Sequence, residues 1–278
     1  MSTAENVKAQ LSALLNQANN TTGKADANLT AAVASLAAGF GQGGSGGGGA
    51  TEPYTEEVID DDGNLINATL HGHTIRNYAF YNCSKLTSTS LPSGLISIGD
   101  YAFYNCSGLT LTSLPSGLIS IGDYAFRGCS MLALTSLPSG ITSIGYQAFY
   151  DCSGLTLTSL PSGITSIGDY AFDRCSKLAL TSLPSGLISI GNNTFYNCSN
   201  LALTSLPSGI TSIGNKAFYG CLGLTSLTFK GKPESISSSA FSGCTNLTTI
   251  NVPWAHGAVA NAPWGAKNAT INYNYTGA

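Results

Sequence analysis

The chain has 278 residues, a formal net charge of −3 and only 9% charged residues, against roughly a quarter in an ordinary soluble domain. Its 11 Lys and Arg are too few for a long nucleic-acid groove, which must displace counterions along a phosphate backbone. It holds no uninterrupted apolar run long enough for a membrane-spanning helix, yet 43% of its residues are apolar, ample for a folded core.

The first elements are helical. Val7, Leu11, Leu14 and Ala18 recur at helical spacing, and Leu29, Val33, Leu36 and Phe40 do so again. The spacing predicts two short amphipathic α-helices over residues 1–40. Each apolar stripe is thin, and helices this short are marginal alone. They are expected to pack with sister chains or a larger assembly, as an anchor or oligomerisation module. Met1 to Gln10 shows no apolar core of signal-peptide type. Residues 41–50 are Gly-rich and read as a linker; they follow no strand, so they are not a phosphate-cradling loop. The stretch ANNTTGKADANLTAAVASLAAGFGQGG, residues 18–44, resembles N-terminal modules of tail-associated proteins from phages and prophages of Gram-positive gut bacteria. That resemblance implies attachment to a virion structure.

Residues 51–73 read as an N-terminal cap, with Tyr54 to Ile59 and Leu65 to Leu70 flanking the acidic hairpin turn Asp60-Asp61-Asp62-Gly63-Asn64. The acids invite calcium, but Val58 stands where an EF-hand has its first ligand and Thr69 where it has its bidentate Glu. His71 and His73 share a strand face, and zinc needs further ligands that are not adjacent. No metal and no cofactor are expected.

From residue 74 to 252 the sequence repeats. Eight cysteines, from Cys83 to Cys244, stand 23 residues apart. A Phe precedes each by three and a Leu follows each by three. Ala precedes the Phe in seven units; Thr194 replaces it in the other. A fixed period makes each Cys one slot of a repeated unit rather than half of a disulfide framework. The unit reads as a Leu- and Thr-rich strand, a Pro-Ser-Gly turn, a polar connection bracketed by two apolar residues such as Ile164 and Ile167, and one helical turn carrying Ala, Phe and Cys. Stacked units make a solenoid with a parallel β-sheet on one face and short helical turns on the other. The cysteines are expected as free, buried thiols.

The pattern I-G-x-x-A-F-x-x-C-S-x-L resembles the BspA-type leucine-rich repeat. The resemblance implies a repeat solenoid used for adhesion and protein binding on bacterial surfaces, with no catalysis by the repeats. The family strand carries apolar residues at +0, +3 and +5 from its first Leu, and the last two units obey. Five middle units instead carry Leu at +2: Leu111, Leu134, Leu157, Leu180 and Leu203. In a regular strand +2 and +5 face opposite ways. Either the backbone bends and turns these leucines inward, or they form an exposed ladder that binds a partner.

A second stripe is aromatic. Tyr78, Tyr101, Tyr124 and Tyr170 lie two residues before the Phe; Tyr81, Tyr104, Tyr150, Tyr196 and Tyr219 lie one after it. Tyrosine joins an apolar ring to a polar tip and suits sugar or protein contact. The other reading is edge packing between adjacent coils. Residues 253–278 leave the period and are expected to cap the solenoid, with Trp254 and Trp264 as apolar plugs.

No carboxylate pair, nucleophile elbow or Cys-His arrangement emerges, and eight equivalent cysteines are not one nucleophile. The expectation is a non-catalytic recognition protein that presents its solenoid to a protein or glycan on a cell surface. The alternative is a purely structural spacer or decoration of a larger assembly.

Overall fold

The computed structural model describes residues 74–87, 90–91 and 93–277. The expected helices of residues 1–40, the 41–50 linker and the 51–73 hairpin, with its acidic turn, His71 and His73, lie outside the described residues.

The described residues form a parallel β-solenoid of stacked 23-residue coils. Its strands are β1 (Thr74–Ile75), β2 (Ser97–Ile98), β3 (Ser120–Ile121), β4 (Ser143–Ile144), β5 (Ser166–Ile167), β6 (Ser189–Ile190), β7 (Ser205–Leu206), β8 (Ser212–Ile213), β9 (Ser226–Phe229), β10 (Ser235–Ile236), β11 (Thr249–Asn251) and β12 (Thr270–Asn272). Every pairing is parallel. The orders are β1-β2-β3, β4-β5, β10-β8-β6 and β12-β11-β9-β7. Register keeps like slots together, as in Ser97↔Ser120 and Ile98↔Ile121. In the Ser-Ile strands the Ile is buried.

The regular ladder runs along the Ser-Ile segment that was expected as a connection. The Leu-Thr segment forms ladder strands only toward the C-terminus, in β7, β9, β11 and β12. Leu109, Leu111 and Leu114 are all buried, while Thr112 and Ser113 between them are both exposed. Two outward residues in succession break the alternation that a strand requires. The segment therefore bends, although it still bonds to its neighbour, Ala133 N donating to Leu111 O at 3.0 Å. In β9 the spacing is regular, and Leu227 and Phe229 point inward together.

The Ala-Phe-Cys segment also departs from expectation, because no helix exists among the described residues. Tyr101 has φ 55° and Asn105 φ 56°, and the same two slots recur with positive φ in other coils. A helix cannot hold such residues. Alternate N–H groups close turns within the coil, as from Tyr104 to Tyr101 O, while those between reach the next coil, as from Phe103 to Ala125 O at 2.7 Å. The backbone here is a ladder between coils as well as a string of turns. The coils approach closely at the Ile-Gly step. A Cβ on Gly122 would sit 2.7 Å from Asp100 N, so only glycine fits.

The core is a set of columns. Eight Phe rings, Phe80 to Phe241, stack with centroids 5.1 to 5.6 Å apart and planes within 14°. Each is at most 1% exposed. The eight cysteines are buried. Cys106 Sγ donates to Phe80 O at 2.9 Å, and the bond recurs along the column.

At the C-terminal end the chain does not simply leave the period. It adds a further coil, one residue short at the Cys slot and two short at the strand. Ala266 N bonds Pro263 O and Ala269 N bonds Ala266 O, repeating Cys244 N to Phe241 O and Leu247 N to Cys244 O. β12 pairs in register with β11. Trp264 is fully buried, donates Nε1 to Ala260 O at 2.7 Å and packs with Trp254 and Phe229. No helix among the described residues is long and apolar enough to cross a membrane.

Candidate binding surface

The two sequence-predicted groups fare differently. Leu111, Leu134, Leu157 and Leu180 are fully buried and Leu203 is 2% exposed. The exposed leucine ladder does not exist, because the bend after +2 turns these side chains into the core. The outward apolar slot is another one, with Ile96, Ile119 and Ile188 at 44 to 57% exposure beside the Ser-Ile strands.

The tyrosines do come together, as two parallel columns on the turn side. Tyr78, Tyr101 and Tyr124 stack at 4.8 and 4.3 Å, with planes within 14°. Tyr81 and Tyr104 stack at 4.8 Å in the second column. The columns touch, Tyr101 meeting Tyr104 at 5.7 Å. Farther along, Tyr196 and Tyr219 stack at 4.7 Å and 7°. Tyr170 meets the edge of Tyr146, which also packs on Tyr124. Most of these rings are half-buried; Tyr78 and Tyr81 are exposed. Packing between coils and an aromatic outer face are thus one arrangement, with ring faces spent on neighbours and edges offered outward. The packing also withdraws water from the hydroxyls. Burial, and then a hydrogen bond shared with Tyr101, push Tyr124 up to about 12.

Charged side chains complete the surface, and the sequence reading passed over them. Arg127 occupies the slot of Tyr104 and Tyr150, and its guanidinium lies 5.5 and 4.4 Å from their ring centroids. Its NH1 donates to Gln147 Oε1, and Gln147 Nε2 donates to Tyr146 Oη at 2.9 Å. Two coils beyond Arg127, Asp173 takes the same slot before Tyr196. It is buried, its Oδ1 finds no hydrogen-bond partner among the described residues, and Arg174 Nε lies 3.8 Å away. Burial pushes its carboxyl up to about 7, against the opposing pull of Arg174. The signal was available in the sequence. In a column kept mostly aromatic, the slots that break the rule mark the chemistry.

Burial holds the thiols protonated, pushing Cys129, Cys152 and Cys175 well above their ordinary range. Among the described residues no group of three His, Cys, Asp or Glu could hold a metal ion.

The family model described as BspA type Leucine rich repeat region matches in six copies over residues 73–201 and 166–260. The chain belongs to the BspA-type leucine-rich repeat family. Among solved structures, the BspA-type chain is similar to a leucine-rich repeat protein of T. pallidum at 28% identity and TM-score 0.51, over 62% of this chain and 91% of that one. A leucine-rich repeat protein from Bacteroides ovatus is 23% identical with TM-score 0.44, over 81% of this chain and 76% of that one. A leucine-rich cell surface protein from Faecalibacterium prausnitzii is 24% identical with TM-score 0.36, over 74% and 77%. No curated relative matches the chain.

Proposed function

We propose that this BspA-type repeat protein is a non-catalytic recognition module that binds a protein or glycan on a cell surface through its tyrosine face. The observation that carries the reading is Arg127 lodged between Tyr104 and Tyr150 at the end of a stacked tyrosine column. Rings held by their neighbours lose little freedom when a ligand arrives. A guanidinium lodged between rings keeps donors for a partner's carboxylate, carbonyl or hydroxyl. The sparse charge of the chain favours such polar and aromatic contacts over long-range electrostatic capture.

In the finer form of this reading, residues 1–50 attach the module to sister chains or to a larger assembly. The resemblance of residues 18–44 favours a phage or prophage tail as that assembly. Neighbouring tail or baseplate genes would support that setting, and their absence would count against it.

The binding test exposes the full chain to arrays of glycans and of bacterial and mucosal proteins, with Arg127→Ala and Tyr104→Ala as comparisons. Retained folding with lost binding in both variants supports the reading. Binding by no array member would favour the structural spacer instead.

A further inference from the structure

The second tyrosine column stops at Tyr219, and a cavity of about 370 Å³ opens there. One face of the Tyr219 ring is stacked on Tyr196. The opposite face looks toward the next coil, where the tyrosine slot holds Ser242. Gly243 follows, so close that a Cβ there would lie 3.6 Å from Tyr219 Cζ. In the final coil the neighbouring residue is Gly265, and Trp264 is turned into the core. Two missing side chains and one short one leave the hollow where the column would have continued. Thr245, Lys267 and Asn268 complete its wall.

The chemistry of this wall is specific. It has one aromatic floor, a rim of short hydroxyl and amide side chains, and no carboxylate. Lys267 lines it, and Lys216 Nζ stands 5.7 Å from the Tyr219 ring centroid. The surrounding chain shares that sign. From Arg174 onward it carries six Lys and Arg and a single acidic side chain, Glu234, although the whole chain is net −3. Cys244 lines the cavity too, but its thiol donates to Phe218 O at 2.9 Å and burial pushes it up to about 11, so it is no nucleophile.

We infer that the cavity at Tyr219 binds an acidic sugar, a pyranose stacking on the open ring face with its carboxylate against Lys267. A sugar ring offers an apolar face to the floor and hydroxyls to the rim, which a purely apolar or purely ionic ligand would not do. The carboxylate meets a positive side chain with no competing acid on the wall. This inference rests on the reading of the chain as a recognition module, but uses a site separate from Arg127.

The experiment titrates the full chain with glucuronate-terminated, sialate-terminated and glucose-terminated oligosaccharides, following binding by calorimetry and saturation-transfer NMR. At least one acidic sugar is expected to bind about tenfold or more tightly than the neutral one. Tyr219→Ala abolishes that binding. Ser242→Tyr also abolishes it, by extending the column into the cavity, while its thermal midpoint stays near the wild type's. Lys267→Gln removes the preference for the acidic sugar and leaves the neutral one unchanged. The inference is overturned if no acidic sugar binds, if the neutral sugar binds equally, or if binding survives Ser242→Tyr. Acidic-sugar binding that survives Ser242→Tyr but is lost in Arg127→Ala overturns the cavity and leaves the recognition reading standing. Sugar binding retained here while Arg127→Ala leaves all array binding intact does the reverse.

Discussion

The thiol of Cys152 donates to the carbonyl of Phe126, 26 residues earlier, at 2.9 Å. The bond joins the cysteine column to the backbone that carries the phenylalanine column, so a residue type usually read for its redox chemistry serves as a small buried donor. Cys152→Ala is expected to destabilise by about 1–2 kcal/mol, from a carbonyl left without its donor and a small void. Thiol titration gives the complementary measurement. A disulfide reagent at neutral pH should label almost none of the eight thiols in the folded chain and all of them in denaturant. Rapid labelling of the native protein would contradict the burial.

Thr194 stands where other coils have Ala, and its buried hydroxyl has no hydrogen-bond partner among the described residues. Restoring the sister residue removes an unsatisfied polar atom and adds no strain. Thr194→Ala is therefore expected to stabilise by about 1 kcal/mol, against the usual trend for core truncations. A denaturant midpoint that rises with an unchanged slope would show it.

The columns were legible because the period is strict: once Cys, Phe and Leu recur every 23 residues, like slots must stack. The local geometry was harder to read. Ala171, Phe172 and Cys175 have the spacing of a helical turn, but in four of the eight coils the slot after next from the Phe holds Asn82, Asn105, Gly128 and Asn197. All four have positive φ. Asn and Gly tolerate that region, and their recurrence was the sign that the segment turns rather than coils. The leucine face was ambiguous for another reason. Leu109, Leu111 and Leu114 cannot share one face of a regular strand, and periodicity alone does not say which rule yields. Burial decided it, at the expense of the strand. Of the candidate surface, the tyrosines were visible as a stripe. Arg127 and Asp173 were missed because each occurs once in its column.

Gly220 occupies that same left-handed slot, at φ +69°, and a Cβ there would lie 2.3 Å from Asn197 Oδ1. Gly220→Ala is expected to cost about 1–2 kcal/mol. Gly220→Asn should cost less, because Asn105 occupies the equivalent slot and donates Nδ2 to Asn82 Oδ1 at 3.1 Å. Equal losses in the two variants would mean that crowding, not backbone conformation, sets the requirement. Thermal unfolding of the pair decides between them.

Arg127 separates two tyrosines in one column, so its replacement tests packing and recognition together. Arg127→Lys keeps the charge but loses the guanidinium that lies over the rings of Tyr104 and Tyr150. It is expected to cost about 0.5–1 kcal/mol of stability, with a larger relative loss of ligand binding. Arg127→Tyr instead continues the stack and should match the wild type in stability while still losing binding. If Arg127→Tyr bound normally, the guanidinium would have no part in recognition.

Asp173 gives the protein a titration in the neutral range. Its carboxyl is pushed up to about 7 by burial, against about 3.9 in an unfolded chain. A raised folded value means that the folded state holds the proton more tightly. The stabilisation is therefore fully present below about pH 4 and is lost as pH rises through about 7. Above that range the folded chain must carry a carboxylate with an unbonded oxygen, offset only in part by Arg174 at 3.8 Å. Asp173→Asn removes the charge and nearly preserves the shape. It should stabilise the protein at pH 8 by on the order of 1–3 kcal/mol and change little at pH 4. Unfolding midpoints of the two proteins measured from pH 4 to pH 8 should diverge with rising pH. Parallel curves across that range would show that Asp173 is ionised in the folded protein throughout.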